Sequence, residues 1–378
     1  MTGVDMSAAI EARDESDGSA DIGGLTSGLP TDRAVAELVA HVARTRDETS
    51  ARAVYRAGFA RLREELVLHP PAALRASDVF EVAARTVRRL AASNLPLGLA
   101  VTMHLYPLCA LQCVPIPLLS PARLRRAFLL RAIRSRSLIV ANAGSERTAG
   151  DHAPVAVVPD GDGVRVDGTY EYMSLSSIAD VVFFKAPLAG TDSAVLCAAD
   201  LTGDSVRIGR WKFRGSMRLS DTSAVTFVGH RIPADQCVVV PNGAALRCVS
   251  DYQRCWFHLF LAEIHVARLE RLHGLWCLAR TAEHVAARNE MARLREYSLR
   301  LLDEPSSRGS SEALAKTTAA MKLRASLMSQ ATVAALRERE SSVADAGLLR
   351  THANELGYIR SQPTADEKIL RSRERVGP

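Results

Sequence analysis

No two of the seven cysteines stand in a C-x-x-C pair, and their positions (109, 113, 197, 237, 248, 255 and 277) make neither a disulfide framework nor a zinc site. Buried free thiols in a reducing, cytoplasmic setting are the expectation. Met1 is followed by acidic, Gly/Ser-rich sequence without the basic-then-apolar order of a signal peptide. The most apolar stretch, 95–119, is broken by Pro96, His104, Pro107, Gln112, Pro115 and Pro117, so it is not read as a membrane span. A nucleic-acid stripe is missing too. The net charge of +6 and pI near 9.1 rest on arginines scattered over helical faces among acidic residues, the pattern of a solvated surface. There is no internal repeat. These absences leave a globular chain of 378 residues, 47% hydrophobic and 24% charged, long enough for two or three domains.

Four regions follow from composition and period. Residues 1–30 carry too little apolar surface to fold and read as a leader. Over 31–136 the spacing is helical: "TDRAVAELVAHVARTR" and "SDVFEVAARTVRRLAAS" begin on caps, and "SPARLRRAFLLRAIRSR" has Pro121 in its first turn after a Pro-rich connection. Within 137–246 the period becomes two. Six strand-like segments ("PVAVV", "GVRVDGTYEYMS", "DVVFFKAPL", "AVLCAADL", "DSVRIGRWKF", "SAVTFVGHRIP") predict a small antiparallel barrel. Over 247–378 helices return, one or two of them long, forming a bundle whose apolar surface predicts a homodimer or homotetramer. The expected class is α+β: helices, a β-barrel, then a helical bundle.

Residues 214–238 read "RGSMRLSDTSAVTFVGHRIPADQCV". Their Met217-Arg218-x-Ser220-x-Thr222 turn and closing Ile232-Pro233 resemble the end of the middle domain in the acyl-CoA dehydrogenase superfamily. "ANAGSER" (141–147) resembles that family's Ala-Gly-Ser-Asp loop, and "GTYEYMSLSSIAD" (168–180) its Gly-x-Lys-x-Trp-Ile-Thr-Asn…Ala-Asp strand. The three motifs occur in the family's order, and the resemblance spans roughly 35–375. It implies a flavin, FAD in the first instance, with FMN or a diffusing reduced flavin left open. By the resemblance Tyr172 and Ser174 lie along the isoalloxazine, and Ser174 donates a hydrogen bond to the reduced ring. Thr222 lies nearby, and Gly144 and Ser145 reach the pyrophosphate, a plain turn being the alternative for that loop. Met217, Arg218 and Gln253 border the substrate. The alternative for the tyrosines is that Tyr170 and Tyr172 merely pack one barrel face.

The departures from the family matter as much. The Thr-Glu-Pro before its Ala-Gly-Ser-Asp is here Ile139-Val140-Ala141, and the Arg-x-x-Phe-Gly that reaches a neighbouring subunit's FAD has only Arg288 as a candidate. Dehydrogenation needs a carboxylate to take an α-proton. One family position for it follows a Gly-Tyr…Pro…Arg run, here "LGYIRSQPTADEKILRSRERVGP"; the other is Gln253, and an amide is no base. His104, in "NLPLGLAVTMHLYPL", resembles a histidine that faces flavin and substrate in the monooxygenases of this fold, the alternative for a lone His in an apolar run being a satisfied core histidine; His258 and Glu263 are further candidates. His258, Glu263 and His265 lack the spacing of a zinc helix, and no metal is expected. Three functions follow: an oxygenase fed reduced flavin by a partner reductase, a dehydrogenase acting on a CoA or carrier-protein thioester with His104, His258 or Glu263 as its base, or a flavin-free thioester-binding or partner protein.

Overall fold

The computed structural model describes residues 30–72, 75–114, 121–143, 155–240, 243–276, 282–304 and 308–338, together with 351, 353, 355 and 356. Helices come first: α1 (Pro30–Arg44), α2 (Glu48–Glu65), α3 (Ala76–Ser93), α4 (Leu95–Cys113) and α5 (Pro121–Ser135). Strands β1 (Val140–Asn142), β2 (Ala156–Asp160), β3 (Gly163–Met173), β4 (Val181–Pro187), β5 (Ala194–Asp200), β6 (Val206–Trp211), β7 (Ser223–Ile232) and β8 (Cys237–Val240) follow. Three long helices complete the order: α6 (Gly243–Trp276), α7 (Ala282–Asp303) and α8 (Arg308–Glu338).

All six strand-like segments are strands, but among the described residues they do not close into a barrel. They form two four-stranded sheets, ordered β1-β4-β5-β8 and β2-β3-β7-β6. Nor is the pairing wholly antiparallel, since β1 runs parallel to β4. The short strands β1 and β8, which no periodicity announced, complete the first sheet. Between the sheets Tyr170, Phe184 and Phe227 meet at centroid distances of 5.7, 6.1 and 6.4 Å, and this aromatic contact fastens one layer to the other.

A second departure lies in the Pro-rich stretch. Residues 95–113 form one continuous helix, α4, in which Pro96 sits in the first turn and Pro107 in the interior. By length and composition α4 alone, among the described residues, would suffice to cross a membrane, yet 83% of its apolar window is buried inside the protein. It packs against α3, α6 and β1. Asn94 caps it by accepting from Leu97 N–H at 2.9 Å. The tight passage from α3 depends on Gly98, where an added Cβ would stand 2.8 Å from the Ala91 backbone. Gly98→Ala is therefore expected to cost about 1–3 kcal/mol through overpacking, read as a lower urea midpoint at unchanged slope.

Candidate active site

The Met-Arg-x-Ser-x-Thr segment winds as a 3₁₀ turn, Gly215–Ser220, and ends with Asp221 in the left-handed region at φ 48°. Leu175 is left-handed too, at φ 60°. Leu175 N–H donates to Ser220 O at 3.2 Å, and Ser176 N–H to Asp221 O at 3.0 Å, so the segments that carry the two left-handed residues are bonded together. Such residues cost about 1–3 kcal/mol each and persist only where their surroundings impose them.

Asp221 anchors the turn. It is fully buried, and its carboxylate accepts from Trp211 Nε1 at 2.7 Å and from Ser177 N–H at 2.8 Å. Burial raises its pKa, while the bonds from Trp211 and Ser177 and the charge of Arg52 oppose that rise. Arg218 and Arg52 stack on the Trp211 ring at 4.8 and 5.4 Å. The Tyr55 hydroxyl donates to Leu219 O at 3.1 Å. Through Arg52 and Tyr55 helix α2 holds the turn in place.

A line of hydroxyls leads outward from this anchor. Ser220 Oγ donates to Met217 O at 2.8 Å, Thr222 Oγ1 lies 2.8 Å from Ser220 Oγ, and Ser174 Oγ lies 2.9 Å from Thr222 Oγ1. Met217, Ser220 and Thr222 are buried; Ser174 is only half-buried. Two residues before Ser174, Tyr172 is 43% exposed. Its ring stacks with Phe213 (centroids 6.2 Å apart, planes at 25°) under Lys212 Nζ at 5.6 Å. Tyr170 is buried instead. A shift of register between Tyr170 and Met173 separates the two tyrosines, turning Tyr172 out of the core and putting it in step with Ser174. The structure therefore brings together Tyr172, Ser174 and Thr222 as an aromatic ledge with a hydroxyl edge. Gly144 and Ser145 lie outside the described residues. Met217 is buried and Arg218 is stacked on Trp211, so both support the turn.

No protein-family model matches the chain, and no curated protein does. Solved structures do. TdsC from Paenibacillus sp. A11-2, crystallised with FMN and indole, superposes with a TM-score of 0.63 at 17% identity, over 89% of this chain and 93% of that one. KijD3, bound to FMN and a dTDP-amino-keto sugar, gives 0.61 at 17% over 93% and 95%. The methanesulfinate monooxygenase MsuC from Pseudomonas fluorescens gives 0.62 at 16% over 89% and 93%. This chain has the acyl-CoA dehydrogenase fold.

Within the acyl-CoA dehydrogenase fold, two proton-transfer candidates of this chain, His104 and Glu263, are held by other partners, and the third, His258, is buried with no hydrogen-bond partner for its Nε2 among the described residues. His104 is 1% exposed: its Nδ1 accepts from Val140 N–H at 2.9 Å and its Nε2 donates to Leu68 O at 2.9 Å. Desolvation, with His69 alongside, lowers its pKa to about 3. Both ring nitrogens thus join α4 to the backbone of neighbouring segments, and the expected catalytic role gives way to a structural one. Glu263 is 2% exposed and clamped by Arg295 Nε at 2.5 Å and an Arg88 guanidinium nitrogen at 3.1 Å. His258 and His265 are buried beside Lys322, and desolvation with that charge lowers each to about 3. Gln253 Oε1 accepts from Lys185 Nζ at 2.8 Å. Arg288 pairs with Glu270 at 2.9 Å beside a shallow cleft lined by Leu269, Met291 and Met328. Among the described residues no cluster of three or more His, Cys, Asp or Glu is placed to hold a metal ion.

Sequence reasoning missed Asp221, Trp211, Arg52, Tyr55 and Phe213. Two signals were available. Asp221 stands inside the quoted motif, where a left-handed residue is most often Asn, Asp or Gly, and "RWKF" immediately precedes it.

Proposed function

We propose that this chain is a flavin-dependent oxidoreductase that takes FMN and oxygenates a small molecule. The observation that carries the reading is the ledge of Tyr172 with the hydroxyl of Ser174 backed by Thr222, combined with an amide at Gln253 and the clamping of Glu263 by two arginines. Tyr172 and Phe213 offer a flat apolar surface for a fused aromatic ring, and the Ser174 hydroxyl, backed by Thr222, offers a polar rim, so the residues present fit a flavin. When bound, flavin would supply two-electron chemistry with O₂. The rest falls to the protein: Tyr172 carries the ring, Ser174, held from behind by Thr222, orients its polar edge, and the buried turn behind them excludes water.

Removing an α-proton from an acyl thioester requires a free base, which this fold usually supplies as a carboxylate, and the His104 imidazole has both nitrogens bonded to backbone. Gln253 is an amide bonded to Lys185, and Glu263 is held between two arginines, which favours oxygenation over desaturation. The FMN complexes of TdsC and KijD3 support FMN over FAD, and a reductase that delivers reduced FMN is the expected partner.

Anaerobic titration of the purified protein with oxidised and with reduced FMN tests the reading, followed by admission of O₂ with a flavin reductase and a panel of small aromatic and amino-sugar substrates. Binding of FMN and an oxygenated product are expected. Failure to bind flavin in either redox state overturns it, and so does desaturation of an acyl-CoA with an artificial electron acceptor.

A further inference from the structure

The three hydroxyls have a direction. Each carries a single proton, and the chain ends on the Met217 carbonyl, which can only accept. Ser220 spends its proton on Met217 O at 2.8 Å. The 2.8 Å contact between Ser220 and Thr222 must then use the proton of Thr222. With that proton spent, the 2.9 Å contact between Thr222 and Ser174 must use the proton of Ser174. The order is therefore Ser174 → Thr222 → Ser220 → Met217 O, and it leaves Ser174 Oγ with lone pairs and no free proton. This reverses the expectation that Ser174 donates to the ligand.

We propose that Ser174 is a fixed hydrogen-bond acceptor, and that it makes the site selective for a ligand presenting an N–H there, which for a flavin whose N5 edge meets Ser174 means the reduced over the oxidised ring. The proposal rests on the flavin reading above. Reduced flavin carries a proton on N5 and can donate; the oxidised ring has only a lone pair at N5, which would face those of Ser174. Three residues set this preference, and two of them, Thr222 at 4% exposure and Ser220 at 0%, lie behind the one that meets the ligand. They are positioning residues. The half-buried end of the line, Ser174, is the only member open to a ligand.

The test is the ratio of FMN dissociation constants, oxidised over reduced, measured anaerobically for the whole chain and three variants. Thr222→Val keeps the shape of the side chain but removes the acceptor, so the proton of Ser174 is released toward the ligand. Ser220→Ala lets Thr222 donate to Ser174, with the same result. Ser174→Ala removes the group. One hydrogen bond gained or lost is worth about tenfold in that ratio, or ~30 mV in the two-electron potential of bound FMN. The wild-type protein is expected to favour reduced FMN, the ratio to fall about tenfold in Ser174→Ala, and to fall further in Thr222→Val and Ser220→Ala. If FMN binds and the ratio is unchanged in Thr222→Val and Ser220→Ala, the directional proposal is overturned and the flavin reading stands. If neither redox state binds, both are overturned. Thr222→Val and Ser220→Ala act independently, so a folding defect in one leaves the other to decide.

Discussion

Acidification from pH 7 to pH 5 is expected to remove about 6 kcal/mol of unfolding free energy, enough to unfold a domain of ordinary stability. Three imidazoles carry most of the loss, and His69 and His230, which burial also lowers, add smaller contributions of the same sign. His104, His258 and His265 are each lowered from 6.5 to about 3 in the native state, desolvation being the largest cause for all three. The native protein holds them neutral, whereas the unfolded chain protonates them below its ordinary histidine value. Their stabilisation is therefore complete above pH 6.5 and is lost as pH falls toward 3, at about 2 kcal/mol per imidazole by pH 5. Urea midpoints from pH 7.5 to 5 measure the slope. His265→Gln, which keeps an amide for Ser329 to bond, should reduce the slope by about a third. A flat profile over that interval would contradict the buried neutral state.

Glu263→Ala is expected to cost about 3–5 kcal/mol, the usual penalty for removing one partner of a buried ion pair. Glu263 is the joint where Arg88 and Arg295 converge, and Glu81 completes the network from its exposed side. Without Glu263 the two guanidiniums share Glu81 alone. Arg295 also lies 5.4 Å over the Phe80 ring, so its displacement would reach the aromatic core of Phe80, Trp256 and Phe260. Urea denaturation reads the loss. A second substitution, Arg88→Met, should return part of it by removing one stranded charge. The same variant separates structure from catalysis: a general base at Glu263 would lose turnover with stability intact, whereas a clamp loses stability first.

How legible the molecule was depends on which periodicity each residue obeys. The six strand segments were readable because half-buried strands alternate, and α1, α3 and α5 because their apolar residues recur at three and four. Helix α4 was hidden: it is buried on nearly every side and so has no polar face, and its prolines sit where they read as breaks. The strands β1 and β8 are only three and four residues long, too short to show a period.

The sequence by itself determined the order of helices, strands and helices, the Met-Arg-x-Ser-x-Thr turn, and the missing carboxylate at Gln253, because each is local: a period, a motif, a side-chain type. Only the tertiary structure decided what those groups do. A bulge in β3 turned Tyr172 outward while Tyr170 stayed in the core. Two backbone partners from distant segments took both nitrogens of His104, and two arginines from other helices took Glu263. The sense of the hydroxyl line depends on a carbonyl, that of Met217, placed by the fold of the turn. A residue's chemistry belongs to its side chain, but its availability is set by partners far away in the chain, and those exist only once the chain has folded.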